Sequence, residues 1–308
     1  MIRIVNLTKT YGKFVAVNNL NLHIPAGTVF GFVGPNGAGK STTMSVLATL
    51  LEPTSGHAYV GGHDVVEEPA KVRQLIGYMP DFFGVYDNLT ATEYLDFFAG
   101  AYHIPVEQRP ALIRDLLELV NLTMKADSYV DVLSRGMKQR LGLARCLVHD
   151  PQVLILDEPA SGLDPRARIE MKEILKELKA MGKTIIISSH ILPELAEMCD
   201  VIGIIEHGQL IAHAPVDQIH EQAAGYRVLR VRLKERAEEA MAQIHYLEHV
   251  TNVEIEGNVL LVHYSGDEDG QAALLAKLVS NGLPVLSFSE ETKNLEEVFL
   301  TVTKGVGS

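Results

Sequence analysis

Apolar, β-branched runs recur along residues 1–220: IRIVNL from Ile2, TVFGFVG from Thr28, QVLILDEP from Gln152, KTIIISSH from Lys183 and VIGIIE from Val201. Short apolar runs closed by Gly, Pro or Asp predict strands buried on both faces. Between them the apolar residues fall at helical spacing. One predicted helix opens at Gly39 and carries Met44, Leu47 and Leu51. Another runs from Arg166 to Met181, with Ile169, Ile174 and Leu178 as its apolar stripe and Gly182 as its stop. Strand and helix in alternation predict a parallel α/β sheet. Residues 88–150 are helical in pattern throughout and read as an insertion. There Thr90 precedes Glu93 in the spacing of a capping box.

From residue 221 the period changes. RVLRVRLKE alternates apolar and charged positions, as a half-exposed strand does. A helical AEEAMAQIHYL follows, then two strands around the turn Glu256-Gly257-Asn258, a helix, a strand and a short helix over NLEEVFLTV. The order βαββαβ predicts a small α+β, ferredoxin-like domain. The expected organisation is therefore an α/β domain over 1–220, with the helical subdomain at 88–150, and an accessory domain over 221–308.

Composition narrows the class. The 308 residues are 47% apolar and 21% charged, the proportions of a globular chain, and carry a net charge of −12. An acidic balance disfavours binding to nucleic acid, where phosphates must be neutralised. Two cysteines exclude a disulfide framework. No apolar run approaches the ~20 residues that span a bilayer. The opening MIRIVNLTKTYGK has no apolar h-region, so no secretory leader is expected.

The chemistry is concentrated in two motifs. Gly34-Pro35-Asn36-Gly37-Ala38-Gly39-Lys40-Ser41-Thr42 matches G-x-x-x-x-G-K-[ST] between a predicted strand and a predicted helix. Glycines let successive backbone N–H groups turn toward phosphate oxygens, and the helix adds its positive end. Lys40 offers a point charge to the β- and γ-phosphates, and Ser41 a hydroxyl to Mg²⁺. The second motif, Val153-Leu154-Ile155-Leu156-Asp157-Glu158-Pro159, ends a buried strand in two carboxylates, an arrangement costly unless something compensates the charge. Asp157 is the expected metal-shell residue and Glu158 the residue that polarises the attacking water.

Together these motifs resemble the nucleotide-binding subunit of an ATP-binding cassette (ABC) transporter. Others follow in the family's order. Leu133-Ser134-Arg135-Gly136-Met137 resembles the signature LSGGQ, Ser161-Gly162-Leu163-Asp164 the D-loop, His190 the switch histidine, and Tyr11 the aromatic that stacks on adenine. The ending Asn294-Leu295-Glu296-Glu297-Val298-Phe299-Leu300 resembles the extension of the drug, sodium-ion and polysaccharide exporter branch. The resemblance implies a P-loop NTPase core, ATP and Mg²⁺ as cofactors, and a head-to-tail dimer, either a homodimer or a heterodimer with a paralogous ATPase. One chain would supply Tyr11, Gly34–Thr42, Asp157, Glu158 and His190, and the other Ser134, Arg135, Gly136 and Asp164. It further implies a separate integral-membrane permease and a peripheral position on the cytoplasmic face of the membrane.

Two positions depart from the family pattern. Asp81 stands where many members have a glutamine touching Mg²⁺ and water, which predicts slow basal turnover and coupling that depends on the partner. Arg135 and Met137 replace Gly and Gln of the signature. The aromatic-rich loop after Asp81 makes Phe82, Phe83 and Tyr86 candidates for a groove receiving a permease helix; packing inside the chain is their other reading. The competing function is a non-transport ABC ATPase acting on ribosomes or DNA. His245-Tyr246-Leu247-Glu248-His249 matches H-x-x-E-H, yet no third ligand follows and exposed histidines are expected. Cys146 and Cys199 read as buried thiols, Lys138-Gln139-Arg140 as a solvated helix face, and Arg227, Arg230, Arg232 and Lys234 as a solvated strand face.

Overall fold

The computed structural model describes residues 1–82, 84, 86, 88–218, 227–244 and 247–291. The chain divides into two compact units, Met1–Val216 and Asp217–Ser308.

In the first unit, β1 (Ile2–Tyr11), β2 (Phe14–Ile24), β4 (Ser55–Val60) and β5 (His63–Asp64) form an antiparallel sheet of order β2-β1-β4-β5. A second sheet has the order β10-β9-β3-β8-β7-β6. It comprises β3 (Val29–Val33), β6 (Ile76–Met79), β7 (Val153–Leu156), β8 (Thr184–Ser189), β9 (Val201–Glu206) and β10 (Gln209–Pro215). All its pairings are parallel except that of β10 with β9 at the edge. The run at Ile2, expected to be buried on both faces, belongs instead to the antiparallel sheet. Ile2 and Ile4 are buried while Arg3 is exposed, because the run alternates and only one side of that sheet faces the core. A single cluster joins the sheets: Ile2, Leu20 and Ile24 pack with Phe30, Phe32, Val153, Ile155 and Ile186, and with Met44 and Leu47 of α1 (Lys40–Leu47).

After α2 (Pro69–Leu75) comes the helical insertion, with α3 (Ala91–Ala101), α4 (Arg109–Leu119), a 3₁₀ turn (Thr123–Lys125) and α5 (Arg135–Leu147). Thr90 caps α3 in a full capping box: its side chain accepts from the Glu93 N–H, and Glu93 accepts from the Thr90 N–H at 2.8 Å. The segment Lys138-Gln139-Arg140 is not the solvated face expected. Gln139 and Arg140 are buried, and Arg140 donates to the carbonyls of Val120 (2.7 Å) and Asn121 (3.0 Å) and pairs with Glu170 at 3.1 Å. Its guanidinium satisfies the open C-terminal carbonyls of α4, which explains the burial of a charge there. In α6 (Pro165–Ala180) the buried stripe is Met171, Ile174, Leu175 and Leu178; Ile169, expected in it, is 61% exposed because it projects from the opposite side of the helix. A short α7 (Leu192–Ala196) precedes β9.

The second unit runs β11 (Arg227–Leu233), α8 (Ala237–Ile244), β12 (Val250–Glu256), β13 (Val259–Tyr264), α9 (Glu268–Ser280) and β14 (Val285–Glu291). Its sheet order is β12-β13-β11-β14 with every pairing antiparallel, the split βαβ arrangement of a ferredoxin-like domain. Leu229, Val231, Leu233, Leu260, Val262, Leu274 and Leu278 form its core. Glu248 and His249 are exposed; His245 and Tyr246 of the same motif lie outside the described residues, as do Asn294–Leu300 and the chain's end.

Candidate nucleotide site

Four parallel strands deliver the candidate residues to one edge of the sheet. The loop Gly34–Gly39 follows β3, Asp81 lies two residues past β6, Asp157 and Glu158 follow β7, and His190 follows β8. The carboxyl edge of such a sheet is where ligands bind in α/β folds.

Backbone constraints explain the glycines at the loop's two ends. A Cβ on Gly34 would fall 2.2 Å from the Ile205 carbonyl oxygen. Gly39 adopts φ 108° as the N-cap of α1, and a Cβ there would meet the Ala16 oxygen at 2.5 Å. Having no side chain, Gly39 leaves the first-turn N–H groups of α1 uncapped by any side chain. Lys40 is 5% exposed. Its Nζ donates to the carbonyls of Gly34 (2.6 Å) and Pro35 (3.3 Å) and stands 3.8 Å from Glu158 Oε1. Burial lowers the Lys40 pKa below the ordinary lysine range, opposed by the charges of Glu158, Asp157 and Asp81.

Glu158 sits at φ 51°, a left-handed conformation uncommon for a residue with a side chain. Two contacts hold it. Its N–H donates to Ser188 Oγ at 2.8 Å, and its Oε2 accepts from His190 Nδ1 at 3.1 Å. Ser188 Oγ in turn donates to Asp157 Oδ1, while the Asp157 N–H donates to the Met79 carbonyl at 2.8 Å. Ser188 was not among the residues picked from sequence. Two serines closing an otherwise apolar strand are the signal that marks it, since a buried hydroxyl requires partners.

A cavity of about 170 Å³ joins Tyr11, Asn36, Gly37, Ala38, Gly39, Lys40, Ser41, Thr42, Asp81 and Glu158 with Phe14 and Ala16. Phe14, also not picked from sequence, pairs with Tyr11 across the Gly12 turn. Both rings are exposed, with Lys9 Nζ 5.4 Å from the Tyr11 ring centre. Gly34, Pro35, Asp157 and His190 are not part of this lining.

The signature residues are not in the cavity. Ser134 caps α5, its Oγ accepting from the Met137 N–H at 3.3 Å. Asp164 caps α6, accepting from the Ala167 N–H at 2.8 Å. The two turns pack on each other: a Cβ on Gly136 would meet Ala167 at 2.8 Å, and one on Gly162 would meet the Arg135 guanidinium at 2.4 Å. In the loop after Asp81, Phe82 is 89% exposed, whereas Tyr86 rests edge-on against Phe97 with ring centres 5.3 Å apart. Phe83 lies outside the described residues. Cys146 and Cys199 are both buried, and burial raises both thiol pKa values.

Fold and loop thus define a P-loop nucleotide-binding protein. Residues 17–161 match the ABC transporter family model, and residues 215–303 match the C-terminal domain of ATP-binding proteins like DrrA1-3. The linearmycin resistance ATP-binding protein LnrL of Bacillus subtilis is 34% identical over 98% of both chains. The Nod factor export ATP-binding protein I of Burkholderia lata is 37% identical over 97% of this chain and 95% of its own. A dimeric ATP-binding cassette in a post-hydrolysis state, bound to ADP and Pi, superposes with a TM-score of 0.64 at 27% identity, covering 70% of this chain and 99% of that one. The chain belongs to the ATP-binding proteins of the ABC transporter family, with a DrrA-like C-terminal domain, and is an ABC ATPase. Among the described residues no helix is long and apolar enough to cross a membrane.

Proposed function

We propose that this chain is the ATP-hydrolysing subunit of an exporter, dimerising around two ATP molecules to drive a separate integral-membrane permease from its cytoplasmic face. The observation that carries the reading is the contact of Glu158 with both Lys40 and His190 at the mouth of the phosphate loop. The relatives, named for antibiotic resistance and for export over the full chain length, favour an exporter over a ribosome- or DNA-acting ATPase.

Tyr11 and Phe14 supply aromatic faces for the purine, and the first-turn N–H groups of α1, at Lys40, Ser41 and Thr42, are uncapped by any side chain and offered to its phosphates. Lys40 Nζ donates to the Gly34 and Pro35 carbonyls. An arriving γ-phosphate is a stronger acceptor than a carbonyl and takes it over. Glu158 accepts a proton from the attacking water, and His190 keeps that carboxylate aimed. The hydroxyl of Ser41 in the cavity and the carboxylates of Asp157 and Asp81 are hard oxygen donors of the kind Mg²⁺ takes. When bound, it neutralises phosphate charge. Ser134, Arg135 and Gly136 present the N-terminus of α5 on a surface outside the cavity, free to close over the γ-phosphate of a second copy, with Asp164 beside them.

Mixing two inactive variants tests the composite site. Lys40→Ala and Ser134→Ala chains, each without hydrolysis alone, regain part of it when mixed, because a mixed dimer keeps one site with neither defect. A mixture as inactive as its components refutes the shared site.

A further inference from the structure

The outer face of the C-terminal sheet carries charge in ordered columns. On β11 the side chains of Leu229, Val231 and Leu233 face the core, so Arg230 and Arg232 face outward and are exposed. On β12 Val253 is buried, and Glu254 and Glu256 are exposed. Between these strands runs β13, whose Leu260 and Val262 are buried and whose outward residues are the half-buried Val259, Leu261 and His263, the last with its Nε2 3.3 Å from Glu254 Oε1. The outer face therefore reads, strand by strand, acidic on β12, apolar but for His263 on β13 and basic on β11. The neighbouring outward positions of β14, Ser287 and Ser289, are uncharged.

Register aligns the columns. Glu254 and Arg230 both pair with Leu261, and Glu256 and Arg232 both pair with Val259. A two-fold axis parallel to the strands and passing over β13 would lay β12 of one copy on β11 of the other. Such an axis preserves position along the strand. It would set Glu254 opposite Arg230 and Glu256 opposite Arg232, twice over, with Leu261 and Val259 meeting their own copies at the centre. Sheets packed face to face with near-aligned strands are about 10 Å apart, within reach of facing Arg and Glu side chains. A self-complementary patch of this kind is what an isologous interface requires.

We infer that this face binds the same face of a second copy of the chain. The contact is separate from the nucleotide-dependent dimer and goes beyond the function proposed above. Few residues take part, so the interface is at the small, weak end. Its effect is to hold two ATPase cores at raised local concentration between cycles of nucleotide binding.

Sedimentation velocity of the full chain without nucleotide, over a concentration series, tests it. The wild type reaches dimer, and added salt weakens it, since the flanking pairs are exposed. The double variants R230E/R232E and E254R/E256R each place like charges opposite one another and raise the dimer dissociation constant about tenfold or more. Combining all four substitutions inverts the columns and restores the dimer. All four residues are exposed, and circular dichroism of each variant checks that the fold is kept. A wild type that stays monomeric overturns the proposal, as does a dimer untouched by either double variant, or a combined variant as dissociated as its parents. Because nucleotide is absent, these outcomes are independent of whether the core dimerises on ATP. A second measurement uses Leu261→Cys. This residue lies on the proposed axis, and the native cysteines are buried, so a short bismaleimide links two copies; failure to cross-link while the dimer forms places the contact elsewhere.

Discussion

Replacing Ser188 with alanine separates the positioning of Glu158 from the binding of nucleotide. The hydroxyl makes two bonds inside the protein, donating to the Asp157 carboxylate and accepting from the Glu158 N–H at 2.8 Å. Ser188 is fully buried, so no water replaces either bond. Losing a bond to a charged group costs about 1.5–3 kcal/mol, and an orphaned buried N–H about 1–3 kcal/mol. The two losses share one site and overlap, so the expected destabilisation is about 2–4 kcal/mol, read as a shift in the urea midpoint. The catalytic consequence follows from the Glu158 backbone. Its φ of 51° is held against a cost of roughly 1–3 kcal/mol by surrounding contacts, and the Ser188 bond is one of them. Released, the carboxylate drifts from His190 and Lys40. A displacement near 1 Å costs about 10²-fold, so kcat falls about 10- to 100-fold. Lys40 keeps its bonds to the Gly34 and Pro35 carbonyls, and the ATP dissociation constant changes less than about threefold, because the lost contacts act on the attacking water rather than on bound nucleotide. Phosphate release gives kcat and a fluorescent-nucleotide titration gives affinity. Adding Ser188→Ala to Glu158→Gln costs no further rate if Ser188 acts through Glu158. A kcat within twofold of wild type would refute the positioning role, as would a loss of affinity equal to the loss of rate.

Glu158→Gln keeps the shape of the side chain but removes its basicity; hydrolysis falls by about 10²–10⁴-fold while bound nucleotide is recovered as ATP rather than ADP, and recovery as ADP at the wild-type rate excludes Glu158 as the catalytic carboxylate. Asp81→Gln removes a negative charge from the cavity that holds Lys40, and basal turnover of the isolated subunit rises severalfold; an unchanged or lower kcat shows that Asp81 does not restrain hydrolysis. His149 gives a pH dependence of stability. Its Nε2 donates to the Ile76 carbonyl at 2.9 Å, its ring stacks on Tyr102, and its Nδ1 is buried without a partner. Burial therefore lowers its pKa below the ordinary 6.5. Below 6.5 the unfolded chain takes up a proton before the folded one does, so this residue's contribution is full above 6.5 and declines as the pH falls toward the lowered value. Urea midpoints between neutral pH and about pH 5 show a shallower decline for His149→Phe than for wild type. Equal slopes would remove His149 as a source.

What could be read in advance depended on whether a feature is local. The run Gly34–Thr42 and the pair Asp157-Glu158 are contiguous, and each carries its own chemical logic, so the site's phosphate and carboxylate halves were legible. Thr90 and Glu93 announced a helix start for the same reason, both partners of the capping box lying within one turn. Ser188 was not legible, because its role exists only through the parallel pairing of β7 with β8, whose register aligns Leu156 with Ile187 and so brings Ser188 beside Asp157. Arg140 looked solvated because its acceptors, the Val120 and Asn121 carbonyls, end a different helix. The β11 charges illustrate the same limit. Their alternation gave a half-exposed strand, but their match to Glu254 and Glu256 depends on the register both strands share with β13.

Purification of the tagged chain from detergent-solubilised membranes of its own cells tests the central claim most directly, with the co-eluting proteins identified by mass spectrometry. The account predicts a multi-span membrane protein in stoichiometric amount. Co-elution with ribosomes or DNA, or with no membrane protein at all, would contradict it.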